Sequence, residues 1–153
     1  MTDQEIETLV LERKLLPDDY SASIELRTKR AHKEGEFSIT GDEDHCFMVI
    51  LRQSSFNVMD FSAILGYRLP KSNSIFRLKR YNGKSHEHTN ILENERFYDF
   101  HIHIATERYQ LQGPHEDLYA VPTDRFSNLT EAVHCLFDDC GFVFPRESQM
   151  QLF

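Results

Sequence analysis

The chain has 153 residues, of which 40% are hydrophobic, and its formal net charge is −8. A chain of this length can bury roughly two thirds of its unfolded surface in one core, so we expect a single domain over residues 1–153. The acidic charge argues against indiscriminate coating of nucleic acid, and the longest apolar run, 47–51, is far shorter than the roughly twenty residues of a membrane span, so we expect a cytoplasmic protein without a membrane partner.

The first predicted element is an amphipathic helix over about residues 3–16. Thr2 and Glu5 form a capping-box pattern, and apolar residues then recur at helical spacing until Pro17. Beyond that proline the apolar period changes to two. This change predicts a series of antiparallel strands over about residues 21–121.

The clearest predicted strands are residues 75–81 and 98–109. A polar loop that begins at Asn82-Gly83 separates them, and we expect the two strands to pair as an antiparallel hairpin. A further short strand is predicted at about 118–121.

The last predicted element is a helix over about residues 128–140. Asn128 is a suitable N-cap, and the apolar stripe that follows it ends at Gly141. Residues 144–153 are expected to form a flexible tail. The elements together predict an α+β fold, with one antiparallel sheet of about six strands and the N-terminal and C-terminal helices packed on one face.

Four of the eight histidines lie in two paired motifs, one in the polar loop and one on the strand after it: His86-Glu-His88 and His101-Ile-His103. If Ile102 faces the core, strand alternation places His101 and His103 together on the opposite, polar face. The same alternation on the partner strand predicts that Arg77 and Lys79 lie beside them.

Cationic residues are concentrated just before the paired histidines. The stretch contains six of them and no acid: Arg68, Lys71, Arg77, Lys79, Arg80 and Lys84. A run of charge alone is typical of a solvated strand face. Beside four clustered histidines, it indicates a surface that binds or transforms an anion.

One chemistry that fits this set is acid–base catalysis on a phosphodiester without a cofactor. Imidazole exists in both protonation states near neutral pH, so His101 and His103, with His86 and His88, are candidate catalytic residues. Arg77, Lys79 and Arg80 are then the candidate phosphate-binding residues. This interpretation predicts a metal-independent ribonuclease or phosphodiesterase that acts on RNA or another phosphate-containing substrate.

Two other functions fit the same sequence. In the first, His86, His88, His101 and His103 bind zinc or another transition metal, with Asp99 or Glu107 as an oxygen ligand, although the adjacent cations oppose a dication. In the second, the chain is a non-catalytic binding protein, such as an antitoxin or a phage-encoded inhibitor. Its acidic helices would then contact a basic protein partner.

The region 76–141 also resembles two groups of proteins. The run from Arg80 through Asn82-Gly83 to His86, followed by His101-x-His103, resembles small prokaryotic toxin-like proteins of toxin–antitoxin pairs. Those proteins usually have a proline where Ser85 stands, and Glu87 here separates the two histidines. The resemblance implies a prokaryotic or phage stress or defence component that acts on RNA and is held by a cognate antitoxin.

The second resemblance is to a bacterial family of unknown function with a His-x-Asn motif before a His-x-His strand. The corresponding segments here are His88-Thr-Asn90, His101-Ile-His103, Tyr119-Ala-Val-Pro122 and the helix that ends Asp139-Cys140-Gly141.

Overall fold

The structure, a computed structural model, describes residues 1–113 and 115–145. The helices in these residues are α1 (Asp3–Leu11), α2 (Tyr20–Ser23), α3 (Glu107–Gln110) and α4 (Leu129–Asp139). The strands are β1 (Lys14–Leu15), β2 (Arg27–Lys29), β3 (His32–Thr40), β4 (Cys46–Ser54), β5 (Phe61–Arg68), β6 (Ile75–Asn82), β7 (His88–Asn90), β8 (Glu95–Phe97), β9 (His101–Ile104), β10 (Ala120–Pro122) and β11 (Phe142–Val143). None of these helices has the length and apolar character needed to cross a bilayer.

One large antiparallel sheet dominates the fold. Its strand order is β10-β9-β6-β5-β4-β3-β2, while β1 pairs in parallel with β11 and β7 pairs with β8 as a separate hairpin. The predicted α+β class with a large antiparallel sheet is confirmed. The sheet has seven strands instead of about six, because strands of three or four residues are too short to show an alternating pattern.

The core lies between this sheet and the two longer helices. Helix α1 begins with the capping box of Thr2 and Glu5, and α4 begins at the N-cap Asn128. Apolar residues of both helices join sheet residues in one buried cluster that includes Ile6, Leu9, Val49, Leu65, Tyr81, Ile102, Val133 and Leu136. The Tyr81 hydroxyl donates to Asp139 of α4 at 2.7 Å, which identifies the face of the sheet that α4 covers.

Helix α1 ends at Leu11, five residues before the predicted end. The backbone turns to an extended conformation at Glu12 (ψ 131°), and β1 then pairs in parallel with β11. Leu16, which extends the helical spacing in the sequence, is buried at 1% exposure by this strand pairing. The helix was therefore predicted too long, because Leu16 continues the helical spacing of apolar residues although it lies beyond the helix.

The beginning of the predicted flexible tail is packed. The Phe144 ring lies 5.5 Å from the Tyr20 ring and 6.1 Å from the Phe137 ring, measured between centroids. Pro145 is also buried. The rest of that predicted tail, 146–153, lies outside the described residues.

Lys14 is a fully buried cation beneath the ends of α1 and α4. Its ammonium donates to four carbonyl oxygens at 2.8–3.1 Å, those of Leu9, Val10, Glu12 and Cys140. Burial lowers the pKa of Lys14 to about 8, opposed by the nearby Cys140 and Glu12. Lys14 therefore remains charged at neutral pH and caps the last carbonyls of two helices at once.

Candidate metal centre

Strand β9 carries two of the four histidines on the side of the sheet that faces away from α4. Ile102 packs in the core with Tyr81, and His101 and His103 alternate with it, as the sequence predicts. The expected open polar surface is wrong, however, because His101 is 0% exposed and His103 is 5% exposed. The residues that cover them lie in the β7–β8 hairpin and in the segment 115–119.

The hairpin brings a third histidine to this pair. The ring centroid of His88, on β7, lies 5.3 Å from that of His101 and 4.9 Å from that of His103. Phe97 of β8 packs against His88 and His101, with centroids 5.2 and 5.7 Å away. The three imidazoles therefore form one cluster, with Phe97 beside it.

His86 lies at the rim of the cluster. It is exposed, and its ring centroid is 6.4 Å from that of His101. Its Nδ1 is within hydrogen-bonding distance of Ser85 Oγ, at 3.1 Å. The paired motif of the loop is thus divided, with one histidine in the cluster and one at its edge.

The hydrogen bonds of the two β9 histidines determine which ring nitrogens carry hydrogen. His101 Nδ1 lies 2.8 Å from the backbone oxygen of Asp99, and His103 Nδ1 lies 2.7 Å from the backbone oxygen of Asp117. A carbonyl oxygen only accepts, so Nδ1 must donate in both rings. In the neutral imidazoles, Nε2 of each then presents a lone pair.

Asn90 determines the orientation of His88 in the same way. The side-chain amide of Asn90 donates to the Ala120 oxygen at 2.7 Å and accepts from the Ala120 nitrogen at 2.9 Å, which fixes the direction of its oxygen. His88 Nε2 lies 2.8 Å from that oxygen and therefore donates to it. The lone pair of His88 is consequently on Nδ1.

One ring nitrogen from each of His88, His101 and His103 lies within 4.8 Å of the others. Nitrogens bound to one zinc ion at about 2.0–2.1 Å necessarily lie within about 4.2 Å of each other, so a small inward movement would complete a shared site. His101 Nε2 is buried and has no hydrogen-bond partner in the described residues. The carboxylates of Asp99 and Glu107, expected as oxygen ligands, do not belong to this group.

No protein-family model matches the chain, and there is no significant match among curated proteins or solved structures. The assignment of the site therefore depends on its geometry. A second nitrogen that donates to a carbonyl or amide oxygen is the usual arrangement of metal-binding histidines, because it fixes the tautomer and the ring orientation. All three rings of the cluster have such a partner.

A β-bulge separates two of the cations that the sequence places together. Arg77 is aligned with Gly66 and Lys79 with Leu65, so Leu78 is the extra residue. The bulge turns Arg77 to the same side as Arg80, which is aligned with His103 of β9. Lys79 lies on the α4 side, because it is aligned with Ile104 of β9, which packs against the core. The predicted place of Lys79 beside the histidines is therefore wrong.

The two arginines on the histidine side are paired with acids that are distant in sequence. The carboxylate of Asp117 is fully buried, and its oxygens lie 3.3 Å from Arg77 Nη2 and 3.0 Å from Arg80 Nε. Neither contact meets the geometry of a hydrogen bond, so the attraction is electrostatic. Glu116 adds a second carboxylate 3.6 Å from Arg77 Nε. The expectation of an uncompensated cationic surface is therefore wrong.

The remaining cations of the run lie elsewhere or at the edge. Arg68 and Lys71 line a cavity of about 630 Å³ together with His45. The ammonium of Lys84 lies 5.5 Å from the centroid of the exposed Tyr98 ring. Of the three predicted phosphate-binding residues, Arg77, Lys79 and Arg80, two share the histidine side and only Arg80 is directly opposite a clustered histidine.

Burial keeps the clustered imidazoles neutral. Desolvation, aided by the charge of Arg80, lowers the pKa of His103 to about 2. Desolvation also lowers the pKa of His101 to about 4 and that of His88 below its usual value. Neutral imidazole is the form that binds a metal ion.

This neutrality predicts acid sensitivity of the metal-free protein. The unfolded chain binds protons at His101 and His103 below their ordinary pKa near 6.5, whereas the folded chain does not until about pH 4 or lower. The free energy of unfolding should therefore fall as the pH drops from 6.5 towards 5, with a slope that approaches about 1.4 kcal/mol per pH unit for each histidine.

Urea unfolding at several pH values, with a chelator present, measures this slope. In the variant His103→Gln this slope should be smaller, because the contribution of one histidine is removed. An equal slope in both proteins would show that His103 is not buried in its neutral form.

Two residues of the site, Asp117 and Asn90, are not marked as site residues by the patterns of the sequence. Asp117 contributes its backbone oxygen to His103 and its carboxylate to Arg80, and no local pattern marks it. Asn90 was noted only as the last residue of the His-x-Asn motif, with no role assigned to it. Its spacing from His88 places both side chains on one face of β7, where the amide can orient the ring.

Proposed function

We propose that this protein binds one divalent transition metal ion, zinc by ligand preference, through His88 Nδ1, His101 Nε2 and His103 Nε2. The observation that carries this proposal is the buried Nε2 of His101, which lacks a partner although the other nitrogen of the ring is hydrogen-bonded. A buried polar atom without a partner costs about 1–3 kcal/mol. A metal ion shared with the two neighbouring nitrogens would satisfy it.

Three protein ligands leave room for a fourth that is not part of the protein. Catalytic zinc sites have this composition, three protein ligands and a water, whereas structural sites use four protein ligands. Zinc held by these three residues would lower the pKa of its water to near 7 and so supply a nucleophile at neutral pH. We therefore propose a hydrolytic centre, with the open position towards the exposed His86.

Acid–base catalysis without a metal, the other hypothesis from the sequence, has less support. A general acid must hold a proton near neutral pH, but burial keeps His101 and His103 unprotonated there. Within the four histidines, His86 alone is exposed at the rim, and it is the natural group to exchange protons with solvent. Action on RNA and control by an antitoxin stay predictions from the resemblance.

Metal titration of the full chain tests the proposal. Protein purified without a histidine tag and stripped with a chelator should take up one equivalent of zinc, and zinc should raise its melting temperature. Inductively coupled plasma mass spectrometry and calorimetry measure the stoichiometry. A chain that binds no zinc, cobalt or nickel at micromolar concentration would contradict the proposal.

The orientation of His88 by Asn90 leads to a prediction of its own. Asn90→Leu keeps a similar volume but removes the amide, so zinc affinity should fall about 10- to 100-fold. Loss of both hydrogen bonds to Ala120 should also lower the free energy of unfolding by about 1–3 kcal/mol.

Thr89→Val, at the exposed neighbouring position of β7, is the matched control and should change neither quantity by much. Metal titration of both variants at a temperature where they are folded separates the two effects. If the folded Asn90→Leu variant binds zinc as tightly as the protein without the substitution, Asn90 has no role in positioning His88.

A further inference from the structure

None of the three ligands of the proposed site carries a negative charge that would neutralise a bound metal ion. All three ligands are neutral imidazoles, and no carboxylate of the described residues belongs to the group. The nearby ions cancel, because Arg77 and Arg80 are paired with Glu116 and Asp117. A bound dication would thus keep its full positive charge in a largely buried place. Such a site favours an anionic ligand in its open position.

Arg80 is placed to contact that ligand. It stands directly opposite His103 in the β6–β9 pair, where side chains on one face are neighbours. An ion-pair contact of 3.0 Å joins Arg80 Nε to Asp117, while neither Nη group donates a hydrogen bond to another residue in 1–113 or 115–145. The Arg80 side chain is 22% exposed. Arg80 is therefore a positioned cation with available donors, directly opposite one of the three proposed ligands.

The burial of the histidines favours an anionic ligand whose charged group is at the end of the molecule. His101 and His103 are 0% and 5% exposed, and the Phe97 ring stands beside His88 and His101. An internal phosphate of a nucleic acid strand has substituents on two sides, which so buried a place disfavours. A terminal phosphate presents three oxygens on one side.

We propose that the open position accepts a terminal phosphate group, that of a phosphomonoester or of inorganic phosphate, with its oxygens shared between the metal and Arg80. This inference rests on the proposed metal site. A terminal phosphate carries close to two negative charges at neutral pH, which matches the dication. Its oxygens also suit the planar, forked donors of an arginine. Of the three cations first assigned to phosphate, Arg80 is thus the one that binds it.

The test uses the full chain loaded with cobalt(II), whose visible absorption reports a change of ligand. Metal content is measured first. Inorganic phosphate and phenyl phosphate should then change the spectrum at similar concentrations. Acetate and a dinucleoside monophosphate should bind at least tenfold more weakly, because the first has one charge and the second has no terminal phosphate.

Substitution of Arg80 separates its role from that of the metal. Arg80→Gln should weaken phosphate binding about ten- to a hundredfold, the loss expected for charge-assisted hydrogen bonds. Arg80→Lys keeps a cation next to the buried Asp117, so it protects the fold, but it should also weaken phosphate binding because it lacks the fork. Both variants should still take up one equivalent of metal. Lys79→Gln, the next residue on the opposite face of the sheet, is the control and should bind phosphate normally.

The outcomes distinguish the two proposals. A chain that takes up no metal contradicts the proposed function and overturns this inference with it. A metal-loaded chain that does not respond to phosphate, or that binds acetate or the diester equally well, overturns this inference alone. Unchanged phosphate affinity in metal-loaded Arg80→Lys and Arg80→Gln overturns the role of Arg80.

Discussion

His103→Gln should reduce zinc affinity by more than about 100-fold, the largest effect that we expect at the site. Loss of an orienting partner alone costs about 10- to 100-fold, and this change removes a ligand. Glutamine is similar in length and its amide can still donate to the Asp117 oxygen, so the local packing is kept. Calorimetric titration with zinc, in competition with a chelator of known affinity, measures the change.

His134→Gln is the matched control. His134 is exposed on α4, which covers the other face of the sheet, so the same chemical change there should leave zinc affinity unaltered. A zinc affinity that is unchanged in both variants would mean that the metal binds elsewhere in the chain. Loss of binding in both would point to a general effect on the fold.

Lys14→Met should lower the free energy of unfolding by about 3–5 kcal/mol and the melting temperature by about 10 °C. Methionine can fill the space of the side-chain stem, but it offers no donor to the carbonyl oxygens of Leu9, Val10, Glu12 and Cys140. Those acceptors would remain buried without their donor. Urea and thermal unfolding measure the loss.

Lys33→Met provides the comparison for that experiment. Lys33 is exposed on β3, and an exposed substitution of this kind changes stability by about 0.5 kcal/mol or less. A loss for Lys14→Met no greater than that of Lys33→Met would show that the ammonium does not cap the two helices.

The parts of the fold that the sequence predicted depend on neighbouring residues. Thr2 with Glu5 and Asn128 with Glu131 are capping pairs within one turn, and both helices begin at them. The alternation through Ile102 correctly put His101 and His103 on one face. Signals of this kind need no knowledge of the rest of the chain.

The parts that the sequence did not predict depend on contacts between distant segments. The bulge at Leu78 depends on the partner strand β5 and reverses the expected positions of Arg77 and Lys79. The pairing of Arg80 with Asp117 joins residues 37 positions apart, so a count of nearby charges could not detect it. Burial of the histidines likewise depends on a short hairpin whose three-residue strands show no pattern.

That hairpin would contribute one ligand of the proposed metal site, and the large sheet would contribute the other two. A bound ion would therefore join β7 and β8 to β9, where Asn90 now makes the side-chain hydrogen bonds from β7 to β10. Local opening of the hairpin would require loss of the metal first, so its amide protons should exchange with solvent far more slowly in the loaded protein. Metal occupancy would thus set the rate at which the hairpin opens and the interior histidines meet water.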